Sequence, residues 1–161
     1  METSAMAELD IGAPAPAFEL EGPEGPIRLA DFAGQTLVLY FYPKDDTSGC
    51  TKEAIDFSEQ IEAFAAAGAS VLGVSKDSVA SHAKFAAKHD LKVQLGSDPS
   101  GAVVEAYGAW VEKSMYGRKY MGIDRSTFLV DGAGQIAGVW RKVKVPGHAA
   151  AVLKAATALK G

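Results

Sequence analysis

The chain predicts an α/β fold: a central mixed sheet with helices on both faces and an N-terminal β-hairpin. Three observations carry this reading. Residues 37–42 (LVLYFY) and 70–75 (SVLGVS) are runs of β-branched and aromatic residues, as in buried strands. An amphipathic stretch follows each run, and strand–helix alternation implies parallel core strands covered from both sides. Residues 126–130 and 136–143 flank Asp131-Gly132-Ala133-Gly134 and read as a closing antiparallel hairpin, which makes the sheet mixed.

The elements follow in order. Residues 1–9 read as a flexible tail and 10–161 as one domain. Residues 17–20 and 27–29 are short strands around the Gly/Pro-rich run Glu21–Pro26, a hairpin signal. A helix is expected over 52–67, with Phe57, Ile61, Phe64 and Ala65 as one apolar stripe and Gly68 as its stop. A second helix spans 78–90, capped by Ser78. A short strand at 93–95 precedes a helix from about Asp98 to Tyr107. Residues 108–122, rich in Gly, Tyr and Lys, read as a loop. An Ala-rich helix, 148–160, closes the chain with Val152, Leu153, Ala156 and Leu159 as its apolar positions. This is the layout of a thioredoxin-like fold.

Composition narrows the functional classes. The 161 residues are 48% hydrophobic, enough for a real core, and the net charge of −4 argues against nucleic acid or an anionic membrane as partner. No apolar run approaches the roughly 20 residues of a membrane span. Met1–Asp10 is acidic without a basic cluster, unlike a secretory signal. Together with a single Cys this favours a reducing, cytoplasmic setting. His82, His89 and His148 are scattered and match no metal-ligand spacing, so neither metal nor cofactor is expected.

That one cysteine, Cys50, is the most informative residue. It follows Tyr42 by eight residues and lies where a strand has ended and a helix begins, the end of a sheet at which α/β proteins place their sites. A free thiol titrates near about 8.5, but unpaired N–H groups and the helix dipole favour its anion at a helix N-terminus. A buried, inert cysteine is the other reading; the small polar neighbours Thr47, Ser48, Gly49 and Thr51 speak against it. Thr47 carries a hydroxyl that can donate to the sulfur or to an oxygen beside it. Pro43 stiffens the exit from the strand and screens the sulfur. Gly49 permits close approach, so its N–H and that of Cys50 can face a small ligand. Arg125, just before the strand at 126–130, is either a surface residue or a permanent charge able to stabilise a thiolate and a leaving oxygen.

The pattern Pro43-x-x-x-Thr47-x-x-Cys50 resembles the P-x-x-x-T-x-x-C motif of the peroxiredoxins. The longer run Phe41-Tyr42-Pro43-Lys44-Asp45-Asp46-Thr47-x-Gly49-Cys50-Thr51 is similar to the PrxQ, or bacterioferritin-comigratory, branch. Further matches are Ser78-Val79-x-Ser81-His82-x-Lys84-Phe85, Met115–Ile123 and Arg125–Asp131, so the likeness covers roughly residues 10–160. The resemblance implies reduction of hydrogen peroxide and organic hydroperoxides by attack of the Cys50 thiolate, leaving a Cys50 sulfenic acid. It implies that Thr47 and Arg125 hold the peroxide and the anion, and that the protein is a monomer. Glu53 either accepts from Arg125 and orients it or serves the helix dipole.

The chain departs from that family in one decisive respect. The two positions at which PrxQ proteins carry a resolving cysteine fall on Ile55 and Ala86. An intramolecular disulfide is excluded, and an external thiol must clear the sulfenic acid: thioredoxin, glutathione with glutaredoxin, or a small thiol. Ile55 lies about 200° around the helix from Phe57, among polar residues. Ser48 stands where the family has Pro and reads as a helix cap; Val111 replaces a Gly. Tyr107, Trp110, Tyr116 and Tyr120 precede Arg125 and either rim a site for alkyl peroxides or pack in the core. His82 and His89, with Phe85 between them, read as a surface face, and Arg141, Lys142 and Lys144 as a half-exposed strand. A non-catalytic redox sensor is the competing functional class; a thioredoxin-type reductase is disfavoured because C-x-x-C is absent.

Overall fold

A computed structural model describes residues 9–160. Strands β1 (Glu19–Gly22) and β2 (Gly25–Arg28) form the expected N-terminal hairpin, and a 3-10 turn, Leu29–Phe32, leads into β3 (Thr36–Phe41). Helices α1 (Ser48–Glu59) and α2 (Ile61–Ala66) precede β4 (Ala69–Ser75); α3 (Val79–His89), β5 (Gln94–Ser97) and α4 (Ala102–Ala106) follow. Then come β6 (Trp110–Met115), β7 (Arg118–Ile123), β8 (Ser126–Val130), β9 (Ile136–Trp140) and α5 (His148–Lys160). The seven-stranded sheet runs β2-β1-β5-β4-β3-β8-β9. Its centre, β3-β4-β5, is parallel, while β1 and β8 pair antiparallel on either side.

Alternation along β3 divides the interior into two layers. Leu37, Leu39 and Phe41 face Phe32, Val103, Val104 and Tyr107. Val38, Tyr40 and the following Tyr42 face Phe57 of α1, Phe64 of α2, Phe85 of α3 and Val152 of α5. Period-two side-chain placement in a strand buried on both faces gives this continuous apolar run. The mixed sheet, its helices on both faces and its hairpin agree with expectation. None of the described helices is long and apolar enough to cross a membrane. Of the expected tail, only Leu9 lies within the described residues, and it packs partly buried against the core.

Several boundaries differ. The helix expected over 52–67 starts four residues earlier, at Ser48, because Thr47 is extended (φ −87°, ψ 157°) and the Thr51 N–H already reaches its carbonyl at 2.8 Å. It also breaks at Gln60, after which α2 presents Phe64 beside Phe57, ring centroids 5.9 Å apart. The helix expected from Asp98 begins only after Gly101, whose φ of +80° turns the chain. The largest miss is residues 108–122: β6 and β7 pair from Trp110↔Ile123 to Met115↔Arg118. Their two-residue turn has positive φ at both Tyr116 (53°) and Gly117 (78°), the type I′ geometry. Tyr at the first turn position, where Asn or Asp is usual, hid it.

The four aromatic residues before Arg125 do not share one environment. Tyr107 is fully buried and donates to the Pro16 carbonyl at 2.6 Å, whereas Tyr116 is 97% exposed at the hairpin turn. Trp110 packs under the Lys76 ammonium, 4.5 Å from the ring centroid. His82 is not on a surface face either; it is 5% exposed.

Phe57 ties the second layer together, stacking on Tyr40 at 4.7 Å and meeting Phe64 and His148 at 5.9 Å each. Phe57→Ala is expected to cost about 3–5 kcal/mol, measured by urea unfolding; a loss below about 1 kcal/mol would contradict this packing.

Candidate active site

The antiparallel pairing of β3 with β8 assembles the site. Phe41 at the end of β3 pairs with Ser126 at the start of β8, so Arg125 arrives where the chain leaves β3 toward Cys50. The backbone around Arg125 is pinned: its carbonyl accepts from Val143 N–H at 2.9 Å, and the N–H of Asp124 reaches the Ala109 carbonyl at 2.7 Å. From there the guanidinium forks. Nη2 points at Cys50 Sγ at 3.4 Å and Nη1 donates to Glu53 Oε1 at 2.7 Å. Cys50 and Glu53 lie three residues apart on α1, hence on one face. Gly49 leaves room for this approach, since a Cβ there would stand 3.0 Å from Nη2.

Cys50 is the third helical residue of α1 and is only 1% exposed. Most of its surroundings are apolar, including Tyr40 and Ala54. The sulfur is thus buried, contrary to what its small polar sequence neighbours suggest, and Arg125 meets it on one side. Thr47, not Ser48, is the N-cap residue, and no side-chain capping bond accompanies it. The Thr47 hydroxyl donates to the Lys44 carbonyl at 2.9 Å. Its proton is thereby used, which leaves its lone pairs to accept from a substrate hydroxyl. Pro43 is half-buried in the turn after β3, and Thr47 is exposed. Ile55 and Ala86 are both half-buried, so the polar-face placement of Ile55 is partly covered.

Electrostatics around Arg125 are strained by burial. Burial pushes Glu53 from its ordinary 4.5 to about 7, against the pull of Arg125, and its Oε2 has no hydrogen-bond partner among the described residues. Burial also works against the guanidinium, but Glu53 and Cys50 beside it outweigh that and hold Arg125 above its ordinary value. His148, with Nε2 2.8 Å from Thr127 Oγ1, is driven down to about 4 by burial and by Arg125. Lys113 on β6 is lowered by its own burial, and it lies within electrostatic reach of Asp124, Arg125 and Cys50. Asp45, Asp77 and His82 bring ligand-type atoms within 4.8 Å of one another. Both ring nitrogens of His82 are spent on protein partners, Asp45 and the Gly96 carbonyl.

Residues 11–139 match the AhpC/TSA family. The chain is a peroxiredoxin of that family, in the Bcp/PrxQ branch. This peroxiredoxin is 49% identical to a putative peroxiredoxin bcp of Coxiella burnetii over 146 residues, 90% of this chain and 97% of the relative. It is 47% identical to peroxiredoxin Bcp of Bacillus subtilis over 147 residues, 91% of this chain and 94% of that one. A solved structure of the Xanthomonas campestris bacterioferritin comigratory protein, a protein described with an alkyl peroxide reduction activity, superposes with a TM-score of 0.87. That pair is 45% identical and covers 94% of this chain and 100% of the other. The enzyme is thus a thiol peroxidase, and its lone cysteine fits a one-Cys mechanism.

Residues to which the sequence reading gave no role but which interact with Arg125 are Lys113 and His148, the latter held by Thr127; Asp45 and His82 meet in the interior beside the loop that leads to Thr47. For His82 a signal was present: it shares a helix face with Phe85, and an apolar residue on that face marks it as inward.

Glu53 makes a prediction about pH. Between about 4.5 and 7 the folded chain keeps a proton that the unfolded chain has released, so Glu53 erodes stability as pH rises through this window. His148 acts oppositely, favouring the fold as pH rises from about 4 to 6.5, and cancels in a comparison with Glu53→Gln. Relative to wild type, Glu53→Gln should gain about 3 kcal/mol between pH 4.5 and 7.5. Chemical denaturation at the two pH values checks this; a pH-independent difference would contradict it.

Proposed function

We propose that this peroxiredoxin reduces hydrogen peroxide and organic hydroperoxides through a Cys50 sulfenic acid, with Pro43, Thr47, Gly49 and Arg125 forming the substrate site and Glu53 orienting Arg125. The contact of Arg125 Nη2 with Cys50 Sγ, 3.4 Å at the start of α1, carries this reading. The thiolate attacks the terminal peroxide oxygen. A sulfur–oxygen bond forms, the oxygen–oxygen bond breaks, and the departing oxygen takes a proton to leave as water or an alcohol. Thr47 accepts the hydroperoxide O–H, as its engaged proton favours, and the N–H groups of Gly49 and Cys50 face the substrate. The Arg125 fork offers a donor as charge moves from sulfur to the leaving oxygen. Alkyl peroxide reduction by the Xanthomonas campestris relative supports organic hydroperoxides as substrates.

The second half of the cycle needs an outside thiol. Its sulfur attacks the Cys50 sulfenic acid and expels water, giving a mixed disulfide. A second thiol then releases Cys50 and departs as the oxidised reductant. Thioredoxin, glutathione with glutaredoxin, and a small thiol are the candidate reductants. The enzyme acts as a cytoplasmic monomer in antioxidant defence on this reading.

Steady-state peroxide consumption with excess thiol tests the proposal. Catalytic turnover is expected, with Cys50→Ser inactive but folded; consumption that stops after one equivalent would support a redox sensor instead. Separately, Arg125→Ala should slow the second-order reaction with hydrogen peroxide by roughly 10²-fold. An unchanged rate in stopped-flow measurements would show that the guanidinium serves another purpose.

A further inference from the structure

The loop that carries Thr47, residues 43–47, is gripped by side chains that peroxide reduction as described leaves unused. Asp45 turns inward and is 8% exposed. Its Oδ1 accepts from the Tyr42 hydroxyl at 2.6 Å and its Oδ2 from Ser81 Oγ at 2.7 Å. Nδ1 of His82 lies 2.8 Å from Oδ2 and 3.0 Å from Oδ1. On the other side of the ring, Nε2 is 3.0 Å from the Gly96 carbonyl. A carbonyl only accepts, so Nε2 donates to it, while Nδ1 lies against the Asp45 carboxyl with the Tyr42 hydroxyl 3.3 Å away. His82 is therefore a two-ended strut running from β5, through α3, to the loop.

The same loop is held at two more points. The Asp45 N–H donates to Asp77 Oδ2 at 2.8 Å, an oxygen that also accepts from Ser75 Oγ at 2.7 Å. Burial opposes the charge on Asp45, yet His82, Tyr42 and Ser81 hold its carboxyl below the usual range. Asp46, at φ +63°, is met by Lys88 Nζ at 2.7 Å and His89 Nε2 at 2.9 Å, both from the far end of α3. Consecutive loop residues are thus tied to one helix, immediately before Thr47.

We infer that Asp45 and His82 are positioning residues for peroxide reduction, through which α3 sets where the Thr47 hydroxyl meets the substrate. The inference rests on reading Thr47 and Cys50 as the peroxide site. A buried hydrogen-bonded pair is a poor source of stability but a geometric constraint when its polar atoms are all engaged, as both Asp45 oxygens and both His82 nitrogens are. A displacement of about 1 Å at a substrate contact can cost about 10² in rate. Arg125 and Glu53 take no part in this network, so the guanidinium contact to the sulfur is made by other side chains.

Two reactions of the same thiol separate positioning from mere stability. Hydrogen peroxide needs the Thr47 contact; alkylation by iodoacetamide does not. His82→Gln keeps a donor toward Gly96 but loses Asp45, and should slow the peroxide reaction of folded protein by roughly tenfold or more. His82→Asn, whose amide replaces Nδ1 toward Asp45, should recover to within about threefold of wild type. Ser81→Ala, at a half-buried site that tolerates the change, should lose about threefold. Alkylation should stay within about twofold in all three. Wild-type peroxide rates in His82→Gln, or equal losses in both reactions, would overturn the inference; should His82→Gln fail to fold, Ser81→Ala decides by the same comparison. If Cys50→Ser is inactive while His82→Gln reacts normally, this inference alone falls.

Discussion

The contact on which the site depends is the fork of Arg125 between Cys50 and Glu53. It joins residues 75 positions apart in sequence, and no local feature of either segment creates it. The register of β8 against β3 does so, because antiparallel pairing sets the start of one strand beside the end of the other. A shift of one residue would turn Phe128 and Val130 to the wrong layer. The core that fixes the fold therefore also fixes the geometry of the sulfur.

Burial gives this contact its force and its cost. Cys50 and Glu53 are each 1% exposed, so the guanidinium interacts with them where water screens little. The same burial drives Glu53 up to about 7 and leaves Oε2 without a protein partner. A carboxylate in that place is a poor stabiliser of the fold, yet it occupies Nη1 and so aims Nη2 at the sulfur. On the role proposed for Glu53, stability is given up for orientation, a common arrangement where perturbed titratable groups gather at one place. The Asp45–His82 network differs, since its hydrogen bonds hold the Asp45 carboxyl below its ordinary value in spite of burial.

The strands and helices were legible where residue periodicity was strong. β3, β4 and β8 carry buried, β-branched runs, and all three were found from the residues alone. The β6–β7 hairpin was not, because its side chains are largely exposed and its turn has Tyr where Asn or Asp would announce it. The strand-to-helix junction and the peroxiredoxin motif made Cys50, Thr47 and Gly49 legible as candidates, and the wider resemblance did so for Arg125. Their distances were not legible, since those follow from register. His82 was misjudged because a histidine near lysines on a helix reads as solvated; only its partner Asp45, 37 residues earlier, makes it a buried strut.

The fork itself is best tested by Arg125→Lys, measured as the second-order rate of Cys50 with hydrogen peroxide. Lysine keeps the positive charge but loses the planar pair of donors that reaches Glu53 and the sulfur together. A rate well below wild type is expected, nearer to that of a neutral side chain. A lysine variant that matched wild type would contradict this, since a point charge would then suffice and the forked geometry would carry no role.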